Sequence, residues 1–320
     1  MTNSNLTTGQ LRRWAAIGYS PNRWSVDNVH NRSERFIVGT TGRQVGKTQT
    51  AAVEIDEGMC KPLDQFGAPW VGVLGSSYDK AELSVNLYIE NLTRVFGKNS
   101  YRVNQNKHEL TITDAAAGTV GARLKWLSAD DAYGVVGYTF SKLVIDEAQA
   151  IPDEVFFKIR PTVDVRNASV IVFGTPDITQ AQSWFEGLWL RGQDPIDNDY
   201  HSFSVASWET PWMKPETILD AKNSMPETEF LRLYGGKWVN DVKRQVNDAY
   251  DWDALNTSVT VTTVAGQSSD YSITGAGLRF RINDIINVTR HWPITPISKS
   301  QLDLFLYMTP TPVHNPPVNV

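Results

Sequence analysis

Two kinds of apolar pattern alternate along the chain as far as residue 240. One is the short, mostly apolar run: RFIVG at 35–39, WVGVLG at 70–75, KLVID at 142–146, SVIVFG at 169–174 and the more polar HSFSVAS at 201–207. A strand shows one face to each side of its sheet, so a run without polar alternation predicts a strand covered on both faces. The other pattern has a helical period. Ala81, Val85, Tyr88, Ile89, Leu92, Val95 and Phe96 share one helix face, and Glu82, Asn86, Glu90 and Arg94 lie opposite. Residues 48–59, with Ala51, Ala52, Val53 and Ile55, predict a helix directly after the first strand, and 11–17 a short one near the N-terminus. Buried strands alternating with helices predict an α/β fold with a mostly parallel central sheet flanked by helices. Residues 108–127 depart from the alternation and predict a β-hairpin inserted before the next core strand.

The pattern changes after residue 240. Glu229 is the last glutamate, and six of the sixteen prolines come after it in a stretch rich in Thr, Val, Ser and Ile, which predicts a separate unit. SVTVTTVAG and DYSITGAGLRFRINDIINVTR read as strands joined by turns, and PTPVHNPPVNV as an extended end. The expected organisation is an approach segment at 1–34 with a turn at GYSPN, an α/β domain at 35–242, and a small β-rich segment of unassigned role, partly loose, at 243–320.

Composition narrows the partners only slightly. A net charge of −5 and a pI near 5.6 give no global basic footprint, so contact with nucleic acid has to come from a local patch or an assembled ring. The single cysteine, Cys60, excludes an internal disulfide framework and a multi-cysteine zinc site, and fits a reducing compartment. No run approaches the about 18 to 20 apolar residues that span a bilayer, and the polar start MTNSNLTTGQ lacks a signal-peptide core. The expectation is a soluble protein without a membrane partner.

The chemistry begins where the first strand meets the first long helix, at GTTGRQVGKT (39–48). Such a loop turns successive backbone N–H groups into one concavity, here those of Gly42, Gln44, Val45 and Gly46, and the helix N-terminus adds partial positive charge. Lys47 is then the lysine that reaches the terminal phosphates, and the Thr48 hydroxyl a ligand to Mg²⁺. ATP and Mg²⁺ are the expected ligands. The pattern G-x-x-x-x-G-K-[ST] calls for its first glycine at position 41, where the chain has Thr41 with Gly42 beside it.

A second motif lies 99 positions beyond Lys47. KLVIDEAQAIP carries Asp146 and Glu147 to the C-terminal tip of a buried strand, where parallel sheets place their ligands. Asp146 is the expected Mg²⁺ ligand, and Glu147 the base that orients and deprotonates the attacking water. The strand at 169–174 ends in Gly174 and Thr175, which puts a hydroxyl beside the γ-phosphate; a turn that only ends a strand accounts for the same residues equally well.

Together these residues resemble the ATPase domain of the terminase large subunit, the motor that packages DNA into the heads of tailed bacteriophages. That family carries Arg-Gln or Arg-Arg before x-G-K-[ST] with its first glycine shifted, as in Arg43 Gln44 Val45 Gly46 Lys47 Thr48. GYSPN with His30 and Arg35 is similar to the family's adenine-side approach, with Val26 near the place of its usual glutamine. Residues 159–177 are similar to its coupling segment and 229–241 to the close of its ATPase domain, so the likeness spans about 15–242.

The resemblance implies a RecA-like P-loop ATPase, assembled as a homo-oligomeric ring on the portal protein in the host cytoplasm. It would pull double-stranded DNA selected by a small terminase subunit. It implies that Arg43 acts in cis on the γ-phosphoryl group; where some members carry a trans arginine this chain has Val136, and Arg160 and Arg166 are the residues that could serve instead. The family continues into an RNase H-like nuclease that is longer than the stretch from residue 241 to the end of the sequence. Asp251, Asp253, Asp270 and Asp284 read as turn formers, so nuclease activity is not expected of this chain. Arg12, Arg13, Trp14, Trp184, Trp189 and Arg191 are available to DNA or a partner subunit, although tryptophans so spaced more often pack in a core. Two alternatives stay open: a helicase-like DNA translocase, and a virion assembly protein with a vestigial nucleotide site.

Overall fold

The computed structural model describes residues 6–131, 134, 137–177 and 183–238, with strand residues 260–261, 285–287, 292–294 and 318–319. It divides into two units, Met1–Val242 and Lys243–Val320. In the second, two short antiparallel pairs are described, Ile285–Asn287 with Trp292–Ile294 and Thr260–Val261 with Val318–Asn319. Among the described residues no helix is long and apolar enough to cross a membrane.

The first unit opens with α1 (Thr8–Ala16), started by a capping box in which Thr7 and Gln10 exchange side-chain and backbone bonds. The chain turns at Gly18, where φ is 65°, into α2 (Arg23–Ser25) and a π-helical turn at Val26–His30. The stretch beyond GYSPN is therefore helical. Then come β1 (Phe36–Thr41), α3 (Lys47–Met59), β2 (Trp70–Gly75), α4 (Tyr78–Phe96), β3 (Tyr101–Asn104), β4 (Glu109–Ile112), β5 (Arg123–Ser128) and β6 (Lys142–Ile145). The unit continues through α5 (Asp153–Ile159), β7 (Ser169–Gly174), α6 (Trp184–Arg191), β8 (Tyr200–Val205), α7 (Pro215–Ser224) and α8 (Glu227–Leu233).

Eight strands form one sheet in the order β3-β4-β5-β2-β6-β7-β1-β8, parallel from β5 through β8. The hairpin expected at 108–127 is the antiparallel pair β4–β5, but β3 lengthens the excursion and β5 is itself a strand of the parallel sheet, with Trp70 opposite Arg123 and Gly75 opposite Ser128. From β1 the chain passes over β7 and β6 through α3 to reach β2. Strand β7 thus lies between the strands that carry the two motifs.

Strand side chains alternate between two cores, as burial on both faces requires. Ile37, Val144, Ile171 and Phe173 pack with Ala52, Ile55 and Met59 of α3 and Val85, Tyr88 and Leu92 of α4. Phe36, Val38, Leu143, Ile145, Val170 and Val172 pack on the other side with Val155 and Ile159 of α5 and Phe185 and Leu188 of α6.

Helix α3 is also fastened by polar contacts from the N-terminal segment and from β6. Its Glu54 is 3% exposed, and one carboxylate oxygen meets His30 Nδ1 at 2.6 Å while the other takes Lys142 of β6. Tyr19 OH holds His30 Nε2 at 2.8 Å, Arg13 pairs with Asp56, and Gln10 donates to Glu57 at 3.1 Å. His30, Glu54 and Glu57 converge closely enough to hold a cation, but both His30 nitrogens and both Glu54 oxygens already have partners in this network. Burial pushes the Glu54 carboxyl up, yet Lys142 and His30 outweigh it and hold it down at about 2.

Removing one partner of a buried pair strands the other charge. Lys142→Met should lower the unfolding free energy by about 3 kcal/mol at pH 7, seen as a lower urea midpoint at unchanged m. Because the folded Glu54 pKa is depressed, its contribution is full above its ordinary value of 4.5 and is lost as pH falls toward 2. The gap between wild type and variant should therefore narrow between pH 7 and pH 3.

Candidate active site

The loop between β1 and α3 is shaped by two left-handed residues and one close approach. Gln44 has φ 59° and Gly46, the N-cap of α3, φ 95°, which bends successive N–H groups toward one side. At Gly42 a Cβ would stand 2.3 Å from Tyr234 O and 2.5 Å from Ser207 Oγ. The close backbone approach therefore falls at position 42. Thr41 is the buried last residue of β1, its carbonyl accepting the Thr175 hydroxyl at 3.1 Å, which explains why glycine is displaced by one.

Among the described residues, no acceptor meets the backbone N–H of Gln44, Val45, Gly46, Lys47 or Thr48, whereas those of Gly42 and Arg43 are bound to Val205 O and Leu233 O. Consecutive donors of this kind at a helix N-terminus suit an anion. Val45 is fully buried, Lys47 and Thr48 are half-buried in the first turn of α3, and the Arg43 and Gln44 side chains are exposed. Three residues distant in sequence, Trp24, Ser207 and Trp212, donate to carbonyls of this loop.

Asp146 comes directly after β6 and is 4% exposed. Its carboxylate accepts the Glu147 N–H at 2.9 Å. Burial pushes its pKa up to about 6, with Glu147 adding repulsion, against the opposing charges of Lys47 and Lys80. Glu147 has φ 54°, a conformation that costs a residue with a side chain about 1 kcal/mol or more. Gln149, which carries no motif signal in the sequence, holds this carboxylate. Its Nε2 donates to Glu147 Oε2 at 2.5 Å, and its Oε1 accepts the Thr175 N–H at 3.0 Å. The one amide spans the tips of β6 and β7, and the Thr175 hydroxyl carries the link to β1.

The fold thus brings together Gly42 to Thr48, Asp146, Glu147 and Thr175 at one edge of the sheet. Other sequence expectations fall elsewhere. Arg166 is bound to Phe66 O, Ala68 O and Asp64, and Arg160 pairs with Asp164, so both are engaged in holding loops. Trp14, Trp184 and Trp189 are core residues, Arg13 belongs to the α3 network, Arg191 pairs with Asp197, and Arg12 is exposed. His30 lies in the same network, and Arg35 bonds to Val163 O, Ala168 O and Asp164. Val136, Asp251, Asp253, Asp270 and Asp284 lie outside the described residues.

No protein-family model matches the chain. Two curated proteins do: the terminase large subunit of Thermus phage G20c is 27% identical over 250 residues, and that of Thermus virus P23-45 is 26% identical. Each match covers 70% of this chain and 50% of the relative, so the chain spans about half the length of the curated relatives it matches. Among solved structures, the large terminase ATPase domain of Thermus phage P74-26 aligns with a TM-score of 0.60 at 22% identity, over 70% of this chain and 96% of that one. The large terminase of a thermophilic bacteriophage, in complex with ATP-gamma-S, aligns at 17% identity and a TM-score of 0.50, over 83% of this chain and 61% of that one. The chain is similar in sequence to phage terminase large subunits and carries the mixed α/β, RecA-like fold of the solved large terminase ATPase domain.

Proposed function

We propose that this chain hydrolyses ATP to drive double-stranded DNA into a phage prohead, with residues 35–242 as the ATPase domain and 243–320 as a separate unit. The observation that carries the reading is the meeting of the loop N–H groups, which have no acceptor among the described residues, with Asp146, Glu147 and Thr175 at adjacent strand tips. The curated relatives support the motor assignment by name, and the terminase of the thermophilic bacteriophage was solved with a nucleotide analogue. In this reading the partners are duplex DNA, a portal protein, a small terminase subunit and further copies of the chain in a ring, in the host cytoplasm.

The loop N–H groups and Lys47 bind the phosphates, with the α3 N-terminus adding its dipole. The site fits Mg²⁺, because Asp146 is a buried carboxylate whose raised pKa marks uncompensated negative charge, and Thr48 offers a second hard oxygen. Mg²⁺ held by Asp146 and Thr48 would neutralise charge on the outer phosphates. Glu147, fixed by Gln149, orients the attacking water and takes its proton. Arg43 extends from the loop to stabilise charge on the γ-phosphoryl group. Thr175 reports phosphate departure to β1 through its bond to Thr41 and to Glu147 through Gln149.

Glu147→Gln should lower kcat by about 10²- to 10⁴-fold, the range for loss of a general base, while ATP affinity is retained. Lys47→Ala should lose binding and turnover together. A steady-state ATPase assay with and without duplex DNA, alongside equilibrium nucleotide binding, checks both; unchanged turnover in Glu147→Gln would overturn the mechanism.

Asp146 gives a prediction on stability. Its folded pKa lies above the ordinary 3.8, so ionising it costs stability; the cost is absent below that value and full above about 6. Asp146→Asn should therefore raise the stability of the nucleotide-free protein by about 2 kcal/mol at pH 8, with the gain in Tm shrinking toward pH 4, as thermal unfolding across that range would show.

A further inference from the structure

We infer that Trp24, Ser207 and Trp212 are positioning residues that hold the carbonyls of the phosphate loop outward, so that its N–H groups face a bound polyphosphate. The inference rests on reading this loop as a nucleotide site. Ser207 Oγ donates to Arg43 O at 2.7 Å, Trp212 Nε1 to Gln44 O at 2.8 Å, and Trp24 Nε1 to Val45 O at 3.1 Å. Three successive carbonyls each receive a donor from outside the loop.

A peptide group is planar and trans, with its C=O and the following N–H pointing in opposite directions. Fixing the Arg43 carbonyl therefore aims the Gln44 N–H, fixing Gln44 aims Val45, and fixing Val45 aims Gly46. These N–H groups are among those that meet no acceptor among the described residues. The three bonds thus orient the donors of the cradle one by one. They also keep the carbonyl dipoles away from an anion, which they would repel.

The three anchors are themselves fixed. Ser207 is fully buried and donates its own N–H to Tyr234 O at 2.7 Å, which lies beside Gly42. Trp24 is 6% exposed, its ring 6.0 Å from that of Phe203 and 6.4 Å from that of Phe173. Trp212 differs, being 48% exposed, so its indole N–H makes a specific bond from a side chain the core does not hold. Ser207 and Trp212 both lie beyond β8, so the shape of the loop depends on a segment more than 160 positions away in sequence.

The test is equilibrium binding of a fluorescent ATP analogue to the full chain, with ATP and inorganic tripolyphosphate as competitors. Trp212→Phe removes the indole N–H and keeps a ring, Ser207→Ala removes the hydroxyl, and Trp208→Phe alters the neighbouring tryptophan that stacks on Phe230. One lost hydrogen bond corresponds to about 5-fold in affinity. Trp212→Phe and Ser207→Ala should each weaken ATP and tripolyphosphate by about that factor, with Trp208→Phe like wild type. Wild-type affinity in both variants would overturn the inference. So would a loss confined to ATP, which would place Trp212 against the base, or an equal loss in Trp208→Phe, which would mean general disturbance of the segment. Failure of the wild-type chain to bind either ligand would instead overturn the reading of the loop, and thermal unfolding of each variant separates misfolding from all of these.

Discussion

Everything at the site depends on β7 pairing in parallel with β1 on one side and β6 on the other. Parallel strands end at the same edge of a sheet, and the register, with Thr40 opposite Gly174 and Ile145 opposite Val172, sets the tips of β1, β7 and β6 in one row there. Because parallel strands need crossovers, helices must cover both faces, and the strands must be apolar on both. In β1, β6 and β7 the polar residues then fall at the strand ends. The Thr175 hydroxyl on Thr41 O and the Gln149 amide between Glu147 and Thr175 close that row into one hydrogen-bonded unit.

The parts of this arrangement legible in sequence are those set by burial and by local backbone needs. Runs such as WVGVLG and SVIVFG declare two-faced strands because each position must be apolar, and the structure returns them as β2 and β7. The phosphate loop is visible because its glycines answer local geometry, even with the first one displaced to Gly42 by the approach of Ser207 and Tyr234. Gln149 is not legible as functional. It lies two residues past a recognised pair, yet only the juxtaposition of β6 with β7 gives its amide a second partner. Ser207 and Trp212 leave no signal at all, since a donor to a loop carbonyl needs only an N–H or O–H in the right place. Lys142 shows the same limit within a strand run, where it reads as a polar edge and proves to be the buried partner of Glu54.

Helix α3 joins the two kinds of information. Its N-terminus is the phosphate loop and its middle carries Glu54, Asp56 and Glu57, which fasten the N-terminal segment through His30, Arg13 and Gln10. His30, Arg13 and Gln10 of the approach segment are therefore bound to α3. The same segment supplies Trp24 to the loop carbonyl of Val45, so the approach segment reaches both the side and the tip of the helix.

A site of this kind carries costs that the fold alone does not relieve. Asp146 is buried with a raised pKa, Glu147 is held at positive φ, and five loop N–H groups meet no acceptor among the described residues. The first two are unfavourable in isolation, and together they would favour rearrangement of the strand tips. The surroundings oppose it: two apolar cores fix the strands, the Glu54–Lys142 pair ties α3 to β6, and three carbonyl bonds hold the loop. On the proposed function, a polyphosphate with its cation would offer acceptors to the N–H groups and positive charge to Asp146 at once, and binding would relieve costs that the scaffold has kept in place. Ligand binding to the folded state alone also stabilises it by mass action. On that reading, the rigidity of the sheet serves the site, because packing preserves an arrangement of the strand tips that a ligand would stabilise.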